Sequence, residues 1–351
     1  MRPICRLLSL LSVVSCVFIG SASFAQPIKQ ASSLALYEGP DREQRLLQGA
    51  RQEGALTVYT SLTVEDITEL AAAFEKKYGI KVKFWRASSE KIVQRIVTET
   101  RAGRFDFDLV ETNGPELETL HREQLLQKAT SPHNADLIPQ AILPHREWVG
   151  TRLNMFVQIY NTKLVKKEEF PKTYQDLLDP KWKGRLGIEA EDLDWFGTVV
   201  KDLGEEKGLK LFRDIVSTNG ISVRKGHTLL AGLVASGEVP LGLTVYNHNA
   251  DKLKKKGAPV EWQVIQPAIV RANGMALPKR PAHPNAAVLF YDFMLSDGQV
   301  ILAKNEYLPA NRKLSSILDK QQVKFVDAVT VLDESAKWEK LYAEIFTRQS
   351  R

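Results

Sequence analysis

The sequence predicts an α/β protein of two lobes with a ligand cleft between them. Three observations carry this: the length, the alternation of short apolar strands with amphipathic helices in two separate stretches, and polar residues where several strands should end. The chain has 351 residues. Beyond about 250–300 residues one hydrophobic core stops growing and a chain divides.

The first stretch opens after a lead-in, Gln26 to Glu53, whose Leu46, Leu47 and Ala50 have helical spacing. Leu56 to Thr60 reads as a short buried strand. Asp66 to Tyr78 reads as a helix with Ile67, Leu70, Ala71 and Phe74 on one face and Gly79 as its stop. Ile80 to Trp85 alternates as a strand. Ser89 to Ala102 follows as a helix that Ser88 or Ser89 can cap, and Phe107 to Val110 as a strand. Strand, helix, strand, helix, strand is the rhythm of a parallel layer.

After Pro144 the rhythm restarts. Arg152 to Tyr160 is an aromatic-rich strand, and Tyr174 to Gly184 a short helix running into a Pro/Gly turn. Arg185 to Glu189 is a strand, Asp194 to Leu203 and Glu205 to Ser217 are helices, Thr228 to Ser236 is a helix stopped by Gly237, and Leu241 to Tyr246 is a strand. Gln263 to Pro278 returns the chain to the first lobe. Ala286 to Leu295, Asp297 to Lys304 and Gln321 to Phe346 are expected to be mostly helical. The reading is therefore a leader over 1–25, lobe 1 from 26–150 plus 266–351, and lobe 2 over 151–265.

The leader rests on Arg2 and Arg6, the apolar run Leu7 to Ile19, and Ser23-Phe24-Ala25, with small residues at −3 and −1 of a cut before Gln26. The run is shorter than the roughly 20 apolar residues that span a bilayer. Val13-Val14-Ser15-Cys16 also reads as a lipidation box, against which the run continues through Ile19; the expectation is export without an anchor. Both cysteines, Cys5 and Cys16, lie in the leader. The mature chain then has no disulfide, no thiol nucleophile and no thiolate metal site. Charge is nearly balanced, with 48 Lys and Arg against 42 Asp and Glu, and the basic run Lys252 to Lys256 has no aromatic platform beside it. Nucleic acid is not the expected partner.

No Gly-x-Ser-x-Gly, dinucleotide fingerprint, phosphate loop or His-Glu-x-x-His is present. Polar groups gather instead at strand ends. Thr60 and Ser61 precede a helix start and offer hydroxyls to an anion, or serve only as its cap. Asn113 follows a strand and offers donor and acceptor, where Gly114 and Pro115 alone would be a turn. Glu189, Glu191, Asp192 and Asp194 fall within six residues, which is costly unless some meet water, a cation or donors; Trp195 beside them is a candidate wall or a core residue. Lys225 in Arg224-Lys-Gly-His227 suits an anion, with a solvated turn as the plainer reading. Tyr246, Asn247 and His248 end a strand with phenol, amide and imidazole. The candidate ligand set is Thr60, Ser61, Asn113, Glu191, Asp192, Trp195, Lys225, Tyr246, Asn247 and His248. The candidate metal set is Glu189, Glu191, Asp192 and His248.

These places in this order resemble the periplasmic solute-binding components of ABC importers, in the branch of the ferric-ion binding proteins. The residues that carry the resemblance are Leu56-Thr-Val-Tyr-Thr-Ser61, Phe105-Asp-Phe-Asp-Leu109, Val157-Gln-Ile-Tyr-Asn-Thr-Lys163, Asp176-Leu-Leu-Asp-Pro-Lys-Trp-Lys-Gly-Arg185, Ala235-Ser-Gly-Glu-Val239 and Leu308-Pro-Ala-Asn311. The resemblance implies a two-lobed periplasmic binding protein fold of type II kind, closure on a small solute, and an inner-membrane ABC permease as partner. It implies a monomer that needs no resident cofactor and takes a metal ion, iron foremost and free or chelated, as cargo. The two adjacent tyrosines of the branch fall at Asn247 and His248, its histidine or acid near Leu62 or Thr63, its glutamate at Asn113, and its anion-binding segment at Ala190 to Asp192. A small amine or zwitterion gripped by the acidic segment is the alternative cargo, and a secreted metal- or anion-dependent hydrolase the alternative activity.

Overall fold

Six short strands that each run into a helix build the walls of both lobes. A computed structural model describes residues 33–314 and 322–347; the leader and Cys16 lie outside them. Helix α1 (Arg42–Glu53) packs beneath strand β1 (Ala55–Thr60), which is followed by α2 (Val64–Tyr78), β2 (Lys81–Arg86), α3 (Ser89–Arg101), β3 (Leu109–Asn113) and α4 (Gly114–Arg122). Strand β1 lies between β2 and β3 and is parallel to both. Helix α2 shows the local logic. Thr63 accepts the Asp66 N–H at its start, and Gly79, at φ 74°, turns left-handed to end it on the Glu75 carbonyl. Its buried face, with Leu70 and Phe74, packs on Phe290 and Phe293 of the first lobe's core.

The short β4 (Leu126–Gln127) precedes β5 (Trp148–Asn161), and in the second lobe come β6 (Leu186–Glu189), α5 (Leu193–Leu203), α6 (Glu205–Asn219), β7 (Ser222–Arg224), α7 (His227–Ser236), β8 (Leu241–Tyr246), α8 (Asn247–Lys255) and β9 (Val260–Gln263). Strand β10 (Ala268–Pro278) returns to the first lobe, followed by α9 (Pro284–Leu295), α10 (Asp297–Lys304), β11 (Leu308–Pro309), β12 (Val323–Phe325), α11 (Ala328–Asp333) and α12 (Ser335–Tyr342). The strand order is β2-β1-β3-β10-β5-β8-β6-β7. Strand β5 changes partner along its length: Trp148 to Met155 pair with β10, and Phe156 to Tyr160 pair with β8. One continuous strand thus belongs to both lobes. This is the two-lobed α/β architecture that the alternation of elements predicts. Among the described residues no single helix is long and apolar enough to cross a membrane.

Four local expectations are corrected. Strand β3 sits later than Phe107 to Val110, so Glu111 and Thr112 are buried inside it; Glu111 is tolerated there because Arg152 pairs with it at 2.9 Å. Gly114-Pro115 opens a helix rather than forming a turn, since proline suits a first helical turn that lacks N–H partners. Tyr174 to Gly184 forms two 3-10 turns, Tyr174–Leu178 and Pro180–Trp182. Within Gln321 to Phe346, Val323 to Phe325 is a strand parallel to β10.

The sequence reading put all C-terminal helices with lobe 1; the last of them packs on residues of the 151–265 stretch. Trp338, Tyr342, Ile345 and Phe346 pack in the core of lobe 2 against Phe196 and Phe212. Their apolar area finds its complement on the side of α5 that carries Phe196 and Gly197, where Gly197 lets the Trp338 ring approach; a Cβ there would lie 2.9 Å from the ring.

A second contact joins the lobes beside β5. Asp66 of α2 accepts from Lys252 of α8 at 2.8 Å, from the Tyr307 hydroxyl at 2.6 Å, and from Thr63. Burial, the largest influence on this carboxyl, would raise it; the hydrogen bonds from Lys252, Thr63 and Tyr307 outweigh burial and hold it below the ordinary carboxylate range. A lowered carboxyl contributes stability above the unfolded-state value of about 3.9, and that contribution is lost as pH falls through the folded value. Asp66→Asn is expected to cost about 2 kcal/mol at pH 7, less than a fully buried broken pair because Lys252 is partly exposed. Chemical denaturation at pH 7 and pH 3 checks this: the gap between wild type and variant narrows in acid, whereas a constant gap contradicts it.

Candidate functional site

Every wall of the cleft is made where a strand gives way to a helix. In lobe 1, β1, β2 and β3 end at Thr60, Arg86 and Asn113, and the residues just beyond bring Ser61, Thr63, Ser88, Ser89, Glu90 and Glu116 to the cavity. In lobe 2, β6, β7 and β8 end at Glu189, Arg224 and Tyr246; Glu191, Asp192, Lys225, His227 and His248 follow them to the opposite wall. Arg152 and Asn154 from β5, and Arg271 and Asn273 from β10, form the floor. Ligands of α/β sheets collect at such carboxyl ends because the strand-to-helix loops expose free backbone groups there. The cavity holds about 480 Å³, within the size range of small-molecule sites. A larger concavity of about 550 Å³ lies on lobe 1 around Arg42, Tyr78 and Asp292; no strand end reaches it, and Arg42 and Asp292 there are already paired at 2.7 Å.

Three side chains of lobe 2 converge. Glu189, Asp192 and His227 place one ligand atom each within 4.8 Å of one another, and this buried group can hold a metal ion. His227 Nε2 lies 3.0 Å from Asp192 Oδ1, while Asp192 Oδ2 is buried without a partner. One Glu189 oxygen accepts the Gly226 N–H at 2.8 Å and the other accepts the Glu191 N–H. Burial first, and then the charge of Asp192, push the Glu189 carboxyl above the usual carboxylate range, with His227 opposing. The Tyr342 hydroxyl donates to the Glu189 carbonyl, so the last helix also steadies this strand end. Tyr246 stacks on His227 at 3.8 Å between ring centres, and its buried hydroxyl has no partner. His248, also buried, has an unpartnered Nδ1. Burial, and then the charges of Arg152 and Lys252, lower its basicity well below that of a free imidazole, so it is neutral at neutral pH.

Charge in the cavity is unevenly spoken for. Arg271 is bonded to Asp194 at 2.8 Å, Arg152 to Glu111, and Lys225 to Glu191. Arg86 donates to the Leu62 carbonyl. Asp192 meets only His227, and among the described residues Glu90, Glu116 and Glu189 stand outside every ion pair. Even with the unneutralised Arg86 set against them, these acids outnumber the free bases of the lining, and Coulomb attraction favours a cation to the extent that they are ionised.

Ser61, Asn113, Glu189, Glu191, Asp192, Lys225, Tyr246 and His248 of the sequence-derived sets line this cavity. Three others do not. Thr60 is buried behind it, donating to Glu111 at 2.7 Å and accepting the Leu62 N–H. Trp195 is buried in the lobe 2 core against Tyr174 and Phe212, because the α5 stripe that carries it faces inward. Asn247 turns its amide to the Glu306 carbonyl and the Met155 N–H, tying α8 to lobe 1. The metal set changes too: Glu191 pairs with Lys225 nearer the surface, and His248 packs its ring on Tyr307 at 4.2 Å, leaving His227 as the imidazole beside Glu189 and Asp192. Sequence reasoning gave Arg224 to His227 an anion and missed Glu116, Arg152 and Arg271. The available signal for His227 was its place immediately after Gly226 at a helix start, the mirror of Asp192 at the start of α5.

The model for bacterial extracellular solute-binding proteins matches residues 69–324. The Iron uptake protein A1 of Synechocystis sp. is 26% identical over 304 residues, covering 80% of this chain and 83% of that protein. Iron-bound HitA from Pseudomonas aeruginosa superposes with a TM-score of 0.73 at 23% identity, covering 83% of this chain and 99% of that one. AfuA from Actinobacillus pleuropneumoniae, solved with exogenous fructose-6-phosphate bound, gives 0.74 at 22% identity, covering 84% and 99%. Each of the three is matched over 80% or more of this chain. With its family model covering both lobes, the chain belongs to the bacterial extracellular solute-binding proteins.

Proposed function

We propose that this periplasmic binding protein captures a cation, iron foremost and either free or chelated, and presents it to an ABC permease of the inner membrane. The observation that carries the reading is the Glu189, Asp192 and His227 group, with a buried Asp192 oxygen that nothing among the described residues satisfies. Two carboxylates held together in a low-dielectric wall repel each other, and a cation between them reverses the sign of that interaction. Carboxylate oxygens with an imidazole suit iron and other transition metals, and the Tyr246 phenol beside them adds a hard oxygen. The names of the Synechocystis and Pseudomonas relatives, iron uptake and iron-bound, agree with this donor set. Closure turns on β5 and β10, with lobe 1 comprising 33–150 and most of the described returning chain, and lobe 2 comprising 151–265 together with 335–347.

A small organic cation is the second reading, favoured by the cavity volume, which exceeds many times the roughly 30 Å³ share of one water. Native mass spectrometry with elemental analysis of protein isolated from the periplasm separates the two. Iron near one atom per chain is the expected result; a light organic mass with no metal overturns the metal reading.

A further inference from the structure

Glu116 has no part in the group just described, yet it lines the same cavity from lobe 1, in the first turn of α4 beside Asn113. Its Oε2 is shut off from solvent and has no hydrogen-bond partner among the described residues. The charged groups that face it are Arg271 of β10, Glu90 of α3 and Asp194 of α5. Arg271 already bonds Asp194. Of the other elements against α4, β5 presents Arg152, which Glu111 holds, and α11 presents Asp333, which pairs with Arg122 at the far end of α4. An acid in a first helical turn is ordinarily solvated and favoured by the helix dipole. One with an oxygen enclosed and unpartnered costs stability and calls for a ligand.

We propose that Glu116 is the lobe 1 carboxyl that grips a cationic solute across the cleft from Glu189 and Asp192, giving up its proton as the solute binds. The inference rests on the cation reading above. Burial foremost, with Glu90 and Asp194 adding and Arg271 opposing, pushes this carboxyl up to about 7, so near neutral pH it is part-protonated and becomes fully ionised when a positive charge arrives. Capture then weakens as pH falls below that value, and each ion bound expels a fraction of a proton from lobe 1.

The test is calorimetric titration of the mature protein with Fe³⁺ delivered from nitrilotriacetate, between pH 6 and 8, in buffers of different ionisation enthalpy. Glu116→Gln is expected to bind about 10-fold more weakly at pH 8, to release fewer protons than wild type, and to show a flatter pH dependence. Glu116→Asp, which keeps the charge but withdraws it, should lose affinity while retaining the proton release; it carries the test if the glutamine variant does not fold. Equal affinity and equal proton release in wild type and Glu116→Gln overturn the role of Glu116 alone. A wild type that takes up no iron overturns the metal reading and, with it, this role of Glu116 in gripping the ion.

Discussion

Asp192→Asn is expected to lower affinity for Fe³⁺ by at least about 100-fold, beyond the 10–100-fold typical of losing a group that only supports a metal ligand. The same change is expected to make the ligand-free protein more stable, and the opposite signs identify the site. Asp192 is buried with one oxygen unpartnered, and its charge helps raise the Glu189 carboxyl. A carboxyl whose folded value is raised costs stability as pH climbs from its unfolded value, about 4.3, through the folded one. Removing the neighbouring charge relieves that cost at neutral pH, while the amide can still meet His227. Thermal melts of the ligand-free proteins at pH 5 and pH 8, beside the binding titration, check both halves. The variant should gain on wild type as pH rises. Lost affinity with lost stability at every pH would mean that Asp192 serves the fold and not the ligand.

Phe196→Ala is the largest expected effect on folding. The Phe196 ring is fully buried and meets Phe212, Trp338, Tyr342 and Phe346 edge-on at 5.3 to 5.8 Å. Truncating a buried phenylalanine costs about 3–5 kcal/mol in transfer and cavity terms. This one also removes the contact that binds the last helix to lobe 2, and with it the Tyr342 bond to the Glu189 carbonyl. Urea denaturation should give a midpoint well below wild type, and limited proteolysis should cut after residue 334 in the variant first. A loss under about 1 kcal/mol would contradict the account of how the C-terminal segment is held.

The fold was readable because its elements are locally consistent. Ile67, Leu70 and Phe74 have helical spacing, Thr63 and Gly79 bracket them, and the helix forms between those two residues. Polar residues at strand ends located the cavity for the same reason: Asn113, Glu189 and Tyr246 are each the last residue of a short buried strand. What remained hidden depends on distance in sequence. Trp195 adjoins the acidic run, yet whether it faces ligand or core is set by Phe212 and Tyr174. Arg271 and Glu116 are ordinary charged residues in the text, and become site residues only because β10 and α4 meet beneath the cleft. His227 and Asp192 are 35 positions apart; no local pattern could pair them. The C-terminal segment read as mostly helical in sequence, and what it packs on is decided by Phe196 and Phe212, far away in the chain.

The central claim is that lobe 2 holds a cation at Glu189, Asp192 and His227. Anomalous diffraction at the iron edge, from crystals of the mature protein grown with Fe³⁺ and nitrilotriacetate, tests it most directly. The account predicts one strong peak within coordination distance of all three side chains. A peak elsewhere in the cleft, or none in a protein shown to be folded, would contradict it.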